Sequence, residues 1–180
     1  MSAKRHKPRP LDPRRLEELA LAYVARFATT QAKLRAYLQR KLRERGWDAE
    51  DEPDFDELVE RYVGLGYVDD ESWARMKAAS LLSRGYGARR VGEALGQAGV
   101  DEHLRAKMRP DEVDERQAAL ALAKRRRLGP FARHETDRPT REKHLAAMLR
   151  AGHRLEIARR IVEASDTGDV EEWAVEGLAD

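Results

Sequence analysis

The sequence contains no cysteine, few aromatic residues and no long hydrophobic run. Without cysteine there can be no disulfide, thiolate metal site or cysteine nucleophile, which fits a reducing compartment. Aromatic residues make up 6% of the 180 positions, so a large aromatic core is excluded. The mean hydropathy of -0.77 and the absence of a long apolar segment predict no membrane span. Because no apolar stretch follows the charged N-terminus, we expect no secretory signal and a cytoplasmic location.

Charge is abundant but segregated along the chain. Lys and Arg number 35 against 33 Asp and Glu, for a net charge of only +2. Residues 1–15 and 30–47 each carry a local charge of +5, and residues 124–127 are all basic. Residues 48–60 contain eight acids and residues 163–180 contain seven, with no base in either stretch. Any one block could be a solvated helix face, but three basic blocks together favour contact with a polyanion.

Hydrophobic spacing predicts helices along nearly the whole chain, and no segment alternates as a strand would. Apolar residues recur at i, i+3, i+4 and i+7 in the segments that begin near positions 16, 34 and 55. Thr29 or Thr30 is a plausible N-cap of the second helix and Asp54 of the third. Gly46 is a plausible C-terminal stop, and the third helix should end at Gly64 or Gly66. We therefore predict an all-α protein.

A period of 53 residues separates Gly46, Gly99 and Gly152, each of which follows an amphipathic basic segment. This period predicts three tandem three-helix repeats of about 50 residues, at 15–65, 66–110 and 111–165. Such small units bury little surface alone, so neighbours should stack into an elongated, curved array. Residues 1–14 are predicted to form a basic flexible arm. Residues 166–180 form an acidic tail whose composition suits disorder or an acidic arm.

Residues in the middle of the chain form a specific combination of motifs. They are Gly66-Tyr67-Val68-Asp69-Asp70-Glu71-Ser72-Trp73-Ala74-Arg75, then Arg84-Gly85-Tyr86-Gly87-Ala88-Arg89-Arg90-Val91, then Glu93-Ala94-Leu95 and Ala98-Gly99-Val100. This combination resembles the signature of the RecX family of bacterial regulators of the RecA recombinase. The resemblance is strong over about residues 16–105 and weaker through about 165.

The resemblance implies a modular protein of three helical repeats that binds the groove of the RecA–DNA filament. It also implies suppression of strand exchange, ATP hydrolysis and co-protease activity. Partners would be the RecA filament and DNA, the latter bound weakly by the protein alone. We expect a monomer with no membrane association and no cofactor.

Two segments of the signature each have a structural and a functional interpretation. Asp69-Asp70-Glu71 precedes an amphipathic run, where capping of a helix N-terminus is favoured over a metal site that lacks an evident third ligand. Arg84–Arg90 joins two helices through Gly85 and Gly87. It can be a tight corner in which Tyr86 packs on a neighbouring unit, or a loop whose free N–H groups and arginines meet an anion.

The candidate contact residues for a filament or DNA are all cationic. Each can instead solvate a helix or, in the 124–127 run, stabilise the negative end of its helix. They are Arg84, Arg89 and Arg90; Arg40, Lys41, Arg43 and Arg45; and Lys124, Arg125, Arg126 and Arg127.

No arrangement of residues predicts catalysis. The five histidines show no zinc spacing and are predicted to lie on the surface or in packing roles. Trp47 and Trp73 are expected to be packing anchors, while Trp173 in the acidic tail needs a partner. We therefore predict a non-enzyme. The alternatives are a stand-alone DNA-binding helical repeat, and a metal-dependent nuclease that uses Asp69, Asp70 and Glu71.

Overall fold

The computed structural model describes residues 9–177, and these residues fold into ten α-helices. The only β-type pairing among them is an isolated bridge between Leu11 and Trp47. The predicted all-α class is therefore confirmed. None of the described helices is long and apolar enough to cross a membrane. The helices are α1 (Pro13–Val24), α2 (Gln31–Arg45), α3 (Phe55–Gly64), α4 (Asp70–Ser83), α5 (Ala88–Gln97), α6 (Glu102–Lys107), α7 (Glu112–Arg126), α8 (Arg138–Arg150), α9 (Leu155–Glu163) and α10 (Thr167–Val175), with a 3-10 turn at Gly129–Phe131.

Helix ends follow the predicted capping chemistry. Thr30 caps α2 by accepting the N–H of Lys33, and Asp54 caps α3 by accepting two N–H groups of the first turn. The three periodic glycines each follow a helix, α2, α5 or α8, and each has a positive φ of 75–96°. A side chain at such a position would be strained, so glycine ends each of these helices at low cost.

The described chain divides into two compact units. The first unit runs through Trp73 and includes Ala98–Val100, and the second comprises Ala74–Gln97 and the chain from Asp101 onwards. The helix bounds place three α-helices in each predicted repeat, but the division into compact units falls after Trp73, inside α4. The three-repeat arrangement therefore stays a prediction.

In the first unit, the apolar stripes of α1, α2 and α3 meet in one core. Leu34 and Leu38 are fully buried, and each contributes about 2 kcal/mol by leaving water. The loop at Ala98–Val100 belongs to this unit, where the Thr30 hydroxyl donates to the Ala98 carbonyl at 2.6 Å. The buried residues of the core are Leu11, Leu16, Ala20, Val24, Leu34, Leu38, Leu58, Val59, Tyr62 and Val68.

The second unit has its own core, built by α7, α8, α9 and α10. The largest fully buried side chains are Leu122, Met148 and Ile161. Small residues on α7 let the helices pack closely, as Ala119 and Ala123 are also fully buried. Tyr86, in the loop between α4 and α5, packs against this core. The structural interpretation of Tyr86 as a packing residue is therefore correct.

Two expectations about the ends of the chain need correction. Within the predicted arm 1–14, residues 1–8 lie outside the described residues, but Leu11 is fully buried and α1 begins at Pro13. The acidic segment is not an arm over residues 167–175, because α10 packs against α7 and buries Val170 and Ala174. Composition missed these contacts because the apolar side chains that supply them are few within two highly charged segments.

Trp173 has the intramolecular partner that the sequence required. Its ring lies 5.0 Å from the guanidinium of Arg116 and 5.9 Å from that of Arg160. Arg116 also donates to the Trp173 carbonyl at 3.3 Å. These cation–π contacts stabilise the packing of α10.

The loop between α4 and α5 packs against backbone of α7 and of the α8–α9 turn. A Cβ at position 85 would lie 2.8 Å from the Leu122 nitrogen, and one at position 87 would lie 2.5 Å from the His153 nitrogen. The Gly87 N–H donates to the Ala151 carbonyl at 2.9 Å. Only glycine permits this approach. We call the backbone contacts of Gly85 and Gly87 with α7 and with the α8–α9 turn the glycine joint.

A buried histidine completes this joint. The Nε2–H of His153 donates to the Gly85 carbonyl at 3.0 Å, while its Nδ1 is buried with no hydrogen-bond partner among residues 9–177. Burial lowers the pKa of His153, although the Gly85 carbonyl and Glu115 act in the opposite direction. Glu115 is itself buried and accepts from Arg154 at 2.7 Å. The joint thus holds a neutral imidazole.

We predict that Gly87→Ala lowers the free energy of unfolding by at least about 2 kcal/mol, because the added methyl group overpacks the joint. The measurement is the urea midpoint at unchanged m-value. Gly92→Ala is the matched control, since a Cβ there meets no atom within 4 Å. Equal midpoints for Gly87→Ala and the unmodified protein would contradict the prediction.

We also predict that acid weakens the protein through His153. The unfolded chain binds a proton at the ordinary histidine pKa, but the folded chain resists it, so stability falls as the pH drops below about 6.5. Urea midpoints measured from about pH 7.5 to 5.5 should fall less steeply in His153→Gln than in the unmodified protein. His103→Gln, on an exposed side chain, is the control. Identical slopes in all three proteins would refute the role of His153.

Candidate functional site

The cations of α2 belong to the first unit and divide into two groups. Lys41 pairs with Glu44 at 2.7 Å and Arg40 approaches the same carboxylate at 3.7 Å, and the lysine holds the pKa of Glu44 below its ordinary value. For Arg43 and Arg45, the described residues supply no carboxylate within ion-pair distance. Both lie in the last turn of α2, where a cation is also favoured by the helix dipole. These two arginines are the α2 cations best able to meet an external anion.

Arg84, Arg89 and Arg90 lie in and just after the glycine joint of the second unit. Arg89 donates to Glu93 and to the Leu149 carbonyl, both at 2.8 Å, and Arg90 pairs with Glu93 at 3.1 Å. The side chains of Arg89 and Arg90 are still 60% and 53% exposed. Arg89 therefore supports the end of α8 and also presents charge to solvent.

Arg84 differs because its guanidinium stacks at 5.4 Å from the Tyr86 ring. No carboxylate among residues 9–177 lies within ion-pair distance of it. An exposed arginine that stacks on an aromatic ring is not neutralised by it, so its guanidinium can still pair with an anionic group of a partner.

Two of the N–H groups that the sequence suggested at the start of α5 are not free. The Gly87 N–H donates to Ala151 and the Arg89 N–H donates to Gly152 at 3.3 Å. These two carbonyls, in the turn after α8, therefore occupy donors that an anion would use. The arginine side chains of the loop remain as candidates.

The basic run 124–127 lies at the C-terminal end of α7. Lys124 pairs with Glu171 of α10 at 2.7 Å, and Arg127 adopts a left-handed conformation with φ of 57° that ends the helix. Arg125 and Arg126 are exposed, and the described chain places no carboxylate at ion-pair distance from them. Gly85 packs on Leu122, two residues before the run, so the second unit brings the Arg84 loop beside this helix end.

The acidic signature segment performs capping. Asp69 accepts the N–H of Ser72 at 2.9 Å and its hydroxyl at 2.6 Å, which opens α4. Asp70 accepts the N–H of Gln31 at 2.9 Å, at the start of α2. Within residues 9–177, no group of three or more histidines and carboxylates could hold a metal ion. The capping interpretation is confirmed for Asp69, while the cap from Asp70 to α2 depends on a long-range contact that no local pattern shows.

Sequence reasoning missed two arginines that the fold places near Arg89. Arg105 and Arg109 line, with Arg89, a groove of about 480 Å³ between α5 and α6. Their spacing of four residues just before Pro110 was the available signal. It predicts a shared helix face but not that this face meets Arg89.

Several curated relatives share this sequence over much of its length. Regulatory protein RecX of Myxococcus xanthus strain DK1622 is 34% identical over 175 residues, covering 88% of this chain and 90% of that protein. Regulatory protein RecX of Mycobacterium sp. strain JLS is 32% identical over 139 residues, covering 65% of this chain and 74% of that protein. No family model matches the chain.

The fold also has a solved relative. The crystal structure of RecX from Lactobacillus salivarius matches with a TM-score of 0.67 over 85% of this chain and 96% of that one. Sequence identity in this match is 18%, so it supports the fold alone. The Myxococcus match, at 34% identity, spans nearly the whole of both chains. The chain belongs to the RecX family.

Proposed function

We propose that this protein binds the nucleoprotein filament of RecA on DNA in the cytoplasm. In doing so it inhibits ATP hydrolysis, strand exchange and co-protease activity. The observation that carries the proposal is the near full-length similarity to a protein named regulatory protein RecX. The function is regulatory and needs no cofactor, because binding to the filament is enough to oppose its cycle of ATP hydrolysis.

Exposed arginines support a filament rather than a small molecule as the partner. Arg43 and Arg45 in the first unit, and Arg84, Arg125 and Arg126 in the second, have no ion-pair partner among the described residues. Cations that are distributed over two units suit a repeating polyanionic or acidic surface. Arg89, Arg90 and Lys124 have intramolecular partners, but those pairs lie at the surface and exchange readily for external anions.

Binding to DNA alone is proposed to be weak. The net charge is +2, and acidic segments accompany the basic ones, so few phosphate contacts can form without other partners. A monomer that contacts both RecA and DNA would bind well only where both are present. A stand-alone DNA-binding protein would instead bind naked DNA tightly, with a steep dependence on salt.

We further propose that the helices form three tandem repeats in an elongated, curved array. A compact globule of 180 residues has a radius of gyration near ~16 Å. X-ray scattering of the monomer should give a clearly larger value. A value at or below that of the globule would contradict the array while leaving the partner unchanged.

Loss of charge in the signature loop should relieve inhibition. We predict that Arg84→Glu, Arg89→Gln and Arg90→Glu together raise the concentration needed for half-inhibition of RecA ATP hydrolysis by about tenfold or more, equivalent to at least about 1.4 kcal/mol. Arg89 is neutralised rather than reversed, because it also donates to Leu149. The measurement is DNA-dependent ATP hydrolysis by RecA, titrated with the variant.

The control changes arginines elsewhere that are more exposed than Arg89 and Arg90. Arg14→Glu with Arg138→Glu alters side chains that are 88% and 87% exposed, each paired with a glutamate one turn away. Inhibition should stay within a factor of about two, since surface pairs of this kind contribute little. Undiminished inhibition by a triple variant with a normal urea midpoint would remove the loop from the contact surface.

A further inference from the structure

The groove between α5 and α6 combines an apolar floor with a basic rim. It lies within the second unit and has a volume of about 480 Å³. Val91, Leu95 and Pro110 form the buried part of its wall, and Met108 is partly buried. The rim carries Arg89, Arg105 and Arg109.

Charge on the rim exceeds what the neighbouring carboxylates neutralise. Arg105 pairs with Glu102 and Arg89 pairs with Glu93. Arg109 is exposed, and no carboxylate in the part of the chain that the structure describes lies at ion-pair distance from it. The Nε of Arg105 is buried, and the described residues offer it no hydrogen-bond acceptor. The groove therefore favours an occupant with negative charge beside apolar surface.

Gly92 on the groove wall has no explanation within the described chain. It lies in the interior of α5, where glycine destabilises a helix relative to alanine. A Cβ at position 92 would meet no atom within 4 Å. Gly96 differs, because a Cβ there would lie 3.1 Å from the Arg105 guanidinium. The space at Gly92 opens into the groove, where a partner backbone can approach closely.

We propose that this groove binds an acidic protein segment that inserts one apolar side chain beside Ala106 and Met108, which line the groove and reach solvent. Its flanking carboxylates would pair with Arg105 and Arg109. The inference rests on the proposed function, in which RecA presents the segment. It deepens that function by assigning this groove to protein rather than to DNA.

Nucleic acid fits the groove less well. None of the lining residues is aromatic, so bases have no stacking surface. The N–H groups of Gly87 and Arg89 at the start of α5 already donate to carbonyls, so they cannot hold phosphate. An apolar floor would leave a phosphate backbone without hydrogen-bond donors.

Filling the groove tests the proposal on the whole protein. Gly92→Leu should weaken binding to the RecA filament by about tenfold or more, as expected when a well-packed central contact is blocked. Gly92→Ala should raise the melting temperature by about 2–4 °C, which shows that the position costs stability in the free protein. Gly64→Leu, at the end of α3 and also with open space around it, is the matched control and should bind normally. Full filament affinity for Gly92→Leu would overturn the proposal.

A direct probe separates the groove from the proposed function. The full chain, labelled with nitrogen-15, is titrated with the peptide Glu-Asp-Leu-Glu-Asp and with its amide counterpart Gln-Asn-Leu-Gln-Asn. We expect the Gly92 and Gly96 amide signals to shift with the acidic peptide and to stay fixed with the amide peptide. Loss of the Gly96 shift in Gly92→Leu would confirm its origin.

The outcomes of the two experiments are distinct. If the unmodified protein ignores RecA filaments but its groove signals shift with the acidic peptide, the proposed function fails and the groove assignment stands. If neither peptide shifts the signals and a thymidine oligonucleotide does, the site belongs to nucleic acid and the assignment is overturned. If neither the peptides nor the oligonucleotide shifts them, the assignment is likewise overturned.

Discussion

The backbone contact between the α4–α5 loop and the α8–α9 turn is the constraint on which the second unit depends. Gly87 approaches the backbone at Gly152 and His153, and its N–H donates to Ala151. The buried His153 side chain donates a hydrogen bond to the neighbouring Gly85 carbonyl. This contact fixes where α5 begins and therefore where Arg84, Arg89 and Arg90 lie. It also occupies the N–H groups of Gly87 and Arg89, which would otherwise be free to donate to an anion.

Signature residues of the RecX family thus act first as packing and capping elements in this chain. Asp69 caps the start of α4, and Asp70 caps α2. Gly85 has no side chain, and the Leu122 nitrogen lies 2.8 Å from where a Cβ would be. The same local geometry then displays the arginines. Arg84 rests on the Tyr86 ring, and Arg89 reaches the Leu149 carbonyl while most of its side chain stays exposed. Packing, capping and the exposure of positive charge therefore use adjacent atoms of one loop.

Positive and negative charges are concentrated in different parts of this protein, and the net charge of +2 does not show this separation. Ion pairs such as Lys124–Glu171 and Arg160–Asp169 join the acidic α10 to basic parts of the second unit. Among residues 9–177, Arg43 and Arg45 on α2 and Arg125 and Arg126 at the end of α7 have no carboxylate at ion-pair distance. Acidic and basic blocks that are separate in the sequence therefore partly neutralise each other inside the second unit. The cations that remain unneutralised, together with the groove beneath Arg105 and Arg109, are the features available to partners.

The sequence by itself determined the helical class, the N-cap at Asp54, and the glycines that end α2, α5 and α8. It limited the N-cap of α2 to Thr29 or Thr30 and assigned capping to the segment Asp69-Asp70-Glu71. These depend on interactions within a few residues, which periodicity and side-chain chemistry report directly. The family resemblance was also available from the signature residues. Only the tertiary structure decided that α10 packs through Val170 and Ala174, that the N–H groups of Gly87 and Arg89 are occupied, and that Arg105 and Arg109 join Arg89 around one groove. Each of these depends on contacts between residues far apart in the chain, and a linear pattern carries no record of which distant atoms compete for the same donor or fill the same space.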